Sequence, residues 1–221
     1  MPAEDADLAR AAAAIIEAGR RMDRHGWVPA TAGNISVRLP DRDRIAITRS
    51  GGHKGFLDAA SVMVVDLDGR PEEPGARPSA ETGLHCGIYR RFPEAGAVLH
   101  GHSVAVTVLS RRSGDAIRLA GYELLKAFPG LPTHEAAISL PVLDNDQDIP
   151  RLQRMVEARW DALEGAAPPG YLIRGHGIYV WGADMAQALM RLEALEFMLA
   201  CELAEVGAQA SRPREAGRRA S

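Results

Sequence analysis

Ala97-Val98-Leu99-His100-Gly101-His102 sets two histidines at the end of an apolar run, with Val104-Ala105-Val106 just beyond. In a strand, residues i and i+2 point to the same face, so the two imidazoles converge on one point. Two neutral imidazoles on one face of a rigid element are the usual start of a transition-metal site. A second apolar stretch runs Tyr171-Leu172-Ile173 and then Ile178-Tyr179-Val180-Trp181, with Arg174-Gly175-His176-Gly177 at its middle. It offers a third imidazole from another strand. Three histidines leave one position of a tetrahedral zinc open, the arrangement of a catalytic centre. For each histidine alone, the competing reading is a satisfied hydrogen bond in the core. The His-x-His spacing with a third, strand-borne histidine favours the metal.

The chain of 221 residues has 25% charged residues, a net charge of -3 and two cysteines. That length fits one large domain with a full core. The charge balance gives no footprint for nucleic acid. The N-terminal apolar run, Ala11 to Ile16, is too short for a secretory signal or a membrane span. Cys86 and Cys201 cannot build a closed thiolate zinc site and read as reduced, small apolar residues, so a cytoplasmic location is expected. The only two lysines, Lys54 and Lys126, both fall in segments that look functional on other grounds.

Around the histidine strand the pattern is mixed. An Ala-rich helix is predicted from Asp5 to His25, then strands at Asn34 to Leu39, Arg44 to Thr48 and Val62 to Asp66. Ser79 is expected to cap a helix reaching Phe92, stopped by Pro93. A short helix follows over Val104 to Arg111, then a strand from Ile138 to Leu143. Asp144-Asn145-Asp146-Gln147-Asp148 fails as a calcium loop, because Ile149 and Met155 stand where glycine and glutamate are needed. Asp148 instead caps a helix over Ile149 to Leu163, with Pro150 in its first turn. Asp184 and Gln187 open a long helix with Leu189, Leu192, Leu195 and Leu199 at helical spacing. Strands in runs with helices between them point to an α/β layered fold. The domain is expected over 1–207, with an Arg-rich, apolar-poor tail over 208–221 expected to be disordered.

Three segments suit an anion. Thr48-Arg49-Ser50-Gly51-Gly52-His53-Lys54-Gly55 is rich in glycine, hydroxyl and cation, so exposed backbone N–H groups and Lys54 can cradle charge. It lacks the spacing of a Walker loop. Thr31-Ala32-Gly33-Asn34 and Ser79 at a helix start are the other two. Each alone is ordinary turn chemistry; three beside a metal site point to a phosphorylated substrate. Glu81 and Glu123 are the acid–base candidates. Glu123, among Gly121, Tyr122, Leu124 and Leu125, reads equally as a partly shielded acid or an exposed helix residue. Lys126 in an apolar setting offers a Schiff-base reading.

These residues together resemble the class II aldolase/adducin family. Its zinc site of a His-x-His strand and a later histidine is matched by His100, His102 and His176. Its phosphate-binding elements are similar to Gly33-Asn34, Ser50-Gly51 and Ser79. Its Pro-Ser-Ser-Glu motif appears as Pro78-Ser79-Ala80-Glu81, with Ala80 for the second serine and Ala32 for the serine often preceding Gly-Asn. Longer strings are most similar to the family's sugar-phosphate dehydratases: Ser50-Gly51-Gly52-His53-Lys54-Gly55, Gly121-Tyr122-Glu123-Leu124-Leu125-Lys126-Ala127, Asp144 to Ile149, and Ile173 to Gly182. The resemblance implies a central, mostly antiparallel sheet flanked by helices, one Zn2+ per subunit, and a homotetramer with its active site at a subunit boundary. It implies a hydro-lyase on a phosphorylated ketose, Glu123 as the proton donor and acceptor, and Glu81 at the metal or substrate. A sugar-phosphate aldolase or epimerase on the same scaffold is the nearest alternative. An adducin-like interaction module is more remote, having no need of three histidines and a glutamate around one point.

Overall fold

The computed structural model describes residues 3–131, 133–163 and 168–210. The sequence alternates because its strands lie between two layers of helices. The order is α1 (Ala3–Arg24), β1 (Asn34–Arg38), β2 (Arg44–Thr48), β3 (Val62–Asp66), α2 (Thr82–Arg91), β4 (Ala97–Gly101) and α3 (Val104–Arg112). Then come β5 (Ala116–Ala120), β6 (Ala137–Leu143), α4 (Ile149–Asp161), β7 (Tyr171–Ile173), β8 (Gly177–Gly182) and α5 (Met185–Ala210). The eight strands form one sheet in the order β3-β2-β1-β4-β8-β7-β6-β5. Every pairing is antiparallel except β6 with β7. The mostly antiparallel α/β fold is thus as expected.

Period-two alternation assigns each strand residue to a layer. In β4, Ala97 and Leu99 pack with α1, α3 and α5, whereas Val98 packs with α2 and α4. In β8, Ile178 and Val180 go to the first side and Tyr179 and Trp181 to the second. Each fully buried Val, Leu or Ile contributes about 1.5–3 kcal/mol, so both faces are fixed strongly. A one-residue slip in β4 would put His100 on the wrong face.

Most predicted ends lie within a residue or two of the observed ones. Asp148 accepts from the Arg151 N–H, as a cap should. Asp184 Oδ1 accepts from the Gln187 N–H at 2.8 Å, and the Gln187 side chain accepts in return from Ala183 N. Ser79 is not the cap of α2. That helix starts two residues later than expected, behind Glu81, whose carboxylate makes no cap bond because it turns elsewhere. Strand β5 escapes the sequence reading, since only Ile117 and Leu119 in its five residues are buried. Among the described residues no helix is long and apolar enough to cross a membrane. Of the tail expected over 208–221, residues 208–210 instead continue α5, and the rest lies outside the described residues.

Candidate active site

His100 is the penultimate residue of β4, which pairs with β8 at the middle of the sheet, and His102 follows directly beyond the strand end. The His102 N–H donates to the Trp27 carbonyl at 2.6 Å, which pins the chain as it leaves the sheet. His176 was expected on a strand but sits in the tight β7–β8 turn, where the chain must reverse between Ile173 and Gly177. That turn is braced. Arg174 donates to Asp144 and to the carbonyls of Ser110, Ser113 and Gly114, and the Gly175 N–H donates to Ser110 Oγ. Gly177 is required by close approach: a Cβ there would stand 2.3 Å from the Gly101 carbonyl oxygen.

These backbone routes bring one ligand nitrogen from each of His100, His102 and His176 within 4.8 Å of one another. His100 Nδ1 lies 2.9 Å from the Ile178 carbonyl, so Nδ1 carries the proton and Nε2 presents its lone pair to the cluster. Nε2 of His100 and Nε2 of His102 are buried with no hydrogen-bond partner among the described residues. Buried polar atoms nearly always have one. An all-imidazole donor set with unpartnered lone pairs fits a divalent transition metal. Burial, and then the neighbouring His100 and His176, push the His102 imidazole down to about 3, which keeps it neutral and able to ligate.

Glu81 reaches the same point from the start of α2. One carboxylate oxygen is 2.9 Å from His176 Nε2 and the other 3.5 Å from His100 Nε2. Burial raises the pKa of this carboxyl; hydrogen bonds and charge from His100 and His176, when these carry a proton on Nε2 in place of a metal, outweigh burial and hold it well below the usual carboxylate range. The centre therefore has an anionic fourth side.

The three anion-binding candidates gather at this end of the sheet. Asn34 faces His100 across the β1–β4 register. Ile35 N bonds Thr48 Oγ1, so the end of β2 that leads to Ser50 and Gly51 lies beside Asn34. A bridge between Arg49 and Pro78 brings Ser79 alongside. Asn34 is buried and its Oδ1 has no partner in the protein. Lys54 departs from expectation. It is buried, and its ammonium donates to the carbonyls of Thr31 at 2.8 Å and Gly52 at 2.7 Å. It ties two of the loops together instead of standing free for a ligand.

Glu123 also departs from the shielded reading. It lies on a 3-10 turn (Glu123–Ala127) with its side chain 69% exposed, ion-paired to Lys126. The Lys126 contact lowers its pKa. Among the described residues of one chain no hydrogen bond or ion pair joins it to the histidines. Lys126 is likewise exposed and ion-paired, not the desolvated amine that Schiff-base chemistry needs, so that reading loses its support. Sequence reasoning missed Arg174 as the brace of the His176 turn. It also missed the buried tyrosines behind His100; their only signal is their place opposite His100 once the register is known.

A three-layer fold with a three-histidine centre and an adjoining carboxylate defines a metal-dependent enzyme scaffold. Residues 13–203 match the Class II Aldolase and Adducin N-terminal domain, and the chain belongs to that family. It is 63% identical over 199 residues to "Methylthioribulose-1-phosphate dehydratase" of Granulibacter bethesdensis, covering 87% of this chain and 91% of that one. It is 64% identical over 190 residues to the protein of the same name from Gluconacetobacter diazotrophicus, covering 86% and 90%. Among solved structures, l-fuculose-1-phosphate aldolase from Thermus thermophilus superposes with a TM-score of 0.73 at 25% identity, covering 93% of this chain and all of that one.

Proposed function

We propose that this protein dehydrates 5-methylthioribulose 1-phosphate to 2,3-diketo-5-methylthiopentyl 1-phosphate, the hydro-lyase step of methionine salvage. The observation that carries this is identity above 60% over nearly the whole of two relatives bearing that dehydratase name. Zinc as the metal, a homotetrameric assembly and a cytoplasmic location belong to the same proposal. His100, His102 and His176 would hold the metal, with Glu81 as a further donor or a contact to substrate hydroxyls. When bound, the metal supplies Lewis acidity to the substrate's C2 carbonyl and C3 hydroxyl oxygens.

The chain's own residues do the rest. Asn34, the Gly33 and Gly51 backbone, Ser50 and Ser79 would anchor the phosphate, with Lys54 holding the loops that carry them. That remote anchoring fixes the reacting carbons. Glu123 takes the proton from C3 and returns a proton to the departing C4 hydroxyl, which leaves as water. The enol left behind tautomerises to the second ketone. The exposure of Glu123 in the single chain agrees with a site completed at a subunit boundary, where a neighbouring chain would cover it.

The test is an assay of the purified protein with methylthioribulose 1-phosphate before and after chelation. The expected product is a diketone of unchanged carbon skeleton, formed only with metal present. Dihydroxyacetone phosphate plus an aldehyde would assign an aldolase instead, and activity in verified metal-free protein would remove the metal from the reading.

A further inference from the structure

Behind the histidine cluster lie four buried polar atoms with no hydrogen-bond partner among the described residues: Thr82 Oγ1, His85 Nε2, Tyr171 OH and Tyr179 OH. They share one place in the fold. The register pairs Asn34 with His100, His100 with Tyr179, and Tyr179 with Tyr171, so one cross-strand row passes through the metal-ligand candidate. The rings in that row stack, His100 on Tyr179 at 4.0 Å and Tyr179 on Tyr171 at 4.9 Å between centroids. Helix α2 covers the same face. Its Thr82 and His85, three residues apart and both buried, turn the same way. The His85 ring meets Tyr179 edge-on at 5.7 Å. Its Nδ1 is already engaged with Ser36 Oγ at 2.8 Å, and Ser36 Oγ with Tyr89 OH at 2.9 Å. Glu81 directly precedes Thr82 at the start of α2, and its carboxylate lies 3.5 Å from the Nε2 of His100, the ring that stacks on Tyr179.

We propose that Thr82, His85, Tyr171 and Tyr179 together hold bound water behind Glu81, a buried hydrogen-bonded network that positions this carboxylate against the three histidines. Three hydroxyls and one imidazole nitrogen, carried by one cross-strand row and the helix packed against it, supply the two to four polar partners that a buried water needs. An apolar occupant would leave all four unsatisfied. Each phenol hydroxyl can both donate and accept a hydrogen bond. None of the four touches the substrate; they are positioning residues. Carboxylates at metal centres are commonly held by such outer partners.

The inference rests on reading His100, His102, His176 and Glu81 as a metal centre. It is tested with Thr82→Val, Tyr171→Phe and Tyr179→Phe, each of which deletes one polar atom and keeps the shape. A network predicts that each variant melts lower, with and without Zn2+. It also predicts that each binds Zn2+ about ten- to a hundredfold more weakly in competition with a chromophoric chelator, and loses kcat by a similar factor at unchanged KM. The Thr82→Val/Tyr179→Phe pair is expected to be non-additive. Isolated unsatisfied atoms predict the opposite sign: deletion relieves a desolvation cost, so the variants melt at or above wild type with Zn2+ affinity unchanged. That result overturns the proposal, and so does a lower melting point with unaltered Zn2+ affinity, which would confine these residues to stability. Melting and Zn2+ competition need no substrate, so the network stands or falls separately from the assigned reaction.

Discussion

Glu81 Oε1 lies 2.9 Å from His176 Nε2, although one residue begins a helix and the other turns a hairpin. The carboxylate gives the histidine cluster its negative side, and contact with protonated imidazoles would keep its pKa below the usual carboxylate range. Glu81→Gln keeps the volume and removes the charge. We expect Zn2+ affinity to fall by about ten- to a hundredfold, the scale of partners that tune a metal site. Chelator competition measures it, and unaltered affinity would take Glu81 out of the centre.

Glu123 is the proposed proton carrier, yet it stands in solvent beside Lys126. Glu123→Gln should leave the fold and the metal content intact, because the side chain supports neither. Turnover should drop by roughly two to four powers of ten, the usual share of a general acid–base group. Steady-state kinetics beside metal analysis decides it; near-normal kcat would assign the proton transfer to another residue.

What the sequence reveals depends on how local the determining physics is. The His100–His102 strand is legible because its apolar run and two-residue spacing are both local. The metal triad follows from it, with His176 misread as strand-borne because Tyr171 to Trp181 is apolar on either side of a turn that only the β7–β8 pairing reveals. Ser79 looks like a cap by residue type, but Glu81 takes the helix start because the histidines draw its carboxylate away from the backbone. Lys54 beside three glycines reads as an anion ligand, and only the tertiary fold shows its ammonium on two carbonyls. Glu123 has apolar neighbours of which Leu125 alone is buried, so local polarity does not report its exposure.

Gly33 combines two backbone constraints near the site. It has φ +80°, and a Cβ there would stand 2.6 Å from the His100 carbonyl oxygen and 2.7 Å from Val28 Cγ1. Gly33→Ala must therefore strain its own backbone and push on the strand that carries His100. We expect a loss of stability above about 1 kcal/mol, more than the gain an alanine brings at a compatible site. Zn2+ affinity should weaken with it. Urea unfolding of the metal-free protein measures the first effect. Wild-type stability would mean that β1 and β4 can separate without cost.

His85 makes the fold sensitive to acid. It is fully buried; burial first, and the nearby His100 second, push its pKa from 6.5 down to about 3, with Glu81 opposing. Between those values the unfolded chain binds a proton that the folded chain refuses. This contribution to stability is fully present above about pH 6.5 and is lost as pH falls toward 3, at about 1.4 kcal/mol per pH unit. His102 carries a shift of the same sign in the metal-free protein and adds to the slope. In His85→Gln the amide retains a group able to bond Ser36 but does not titrate, so its stability should decline with about one proton less. Urea midpoints measured on metal-free wild type and variant between pH 7 and pH 4, a range chosen to lie roughly inside that window, give the comparison. Parallel slopes would mean that the folded protein accommodates a charged His85, and the polar space behind the histidines would then be open enough to hydrate it.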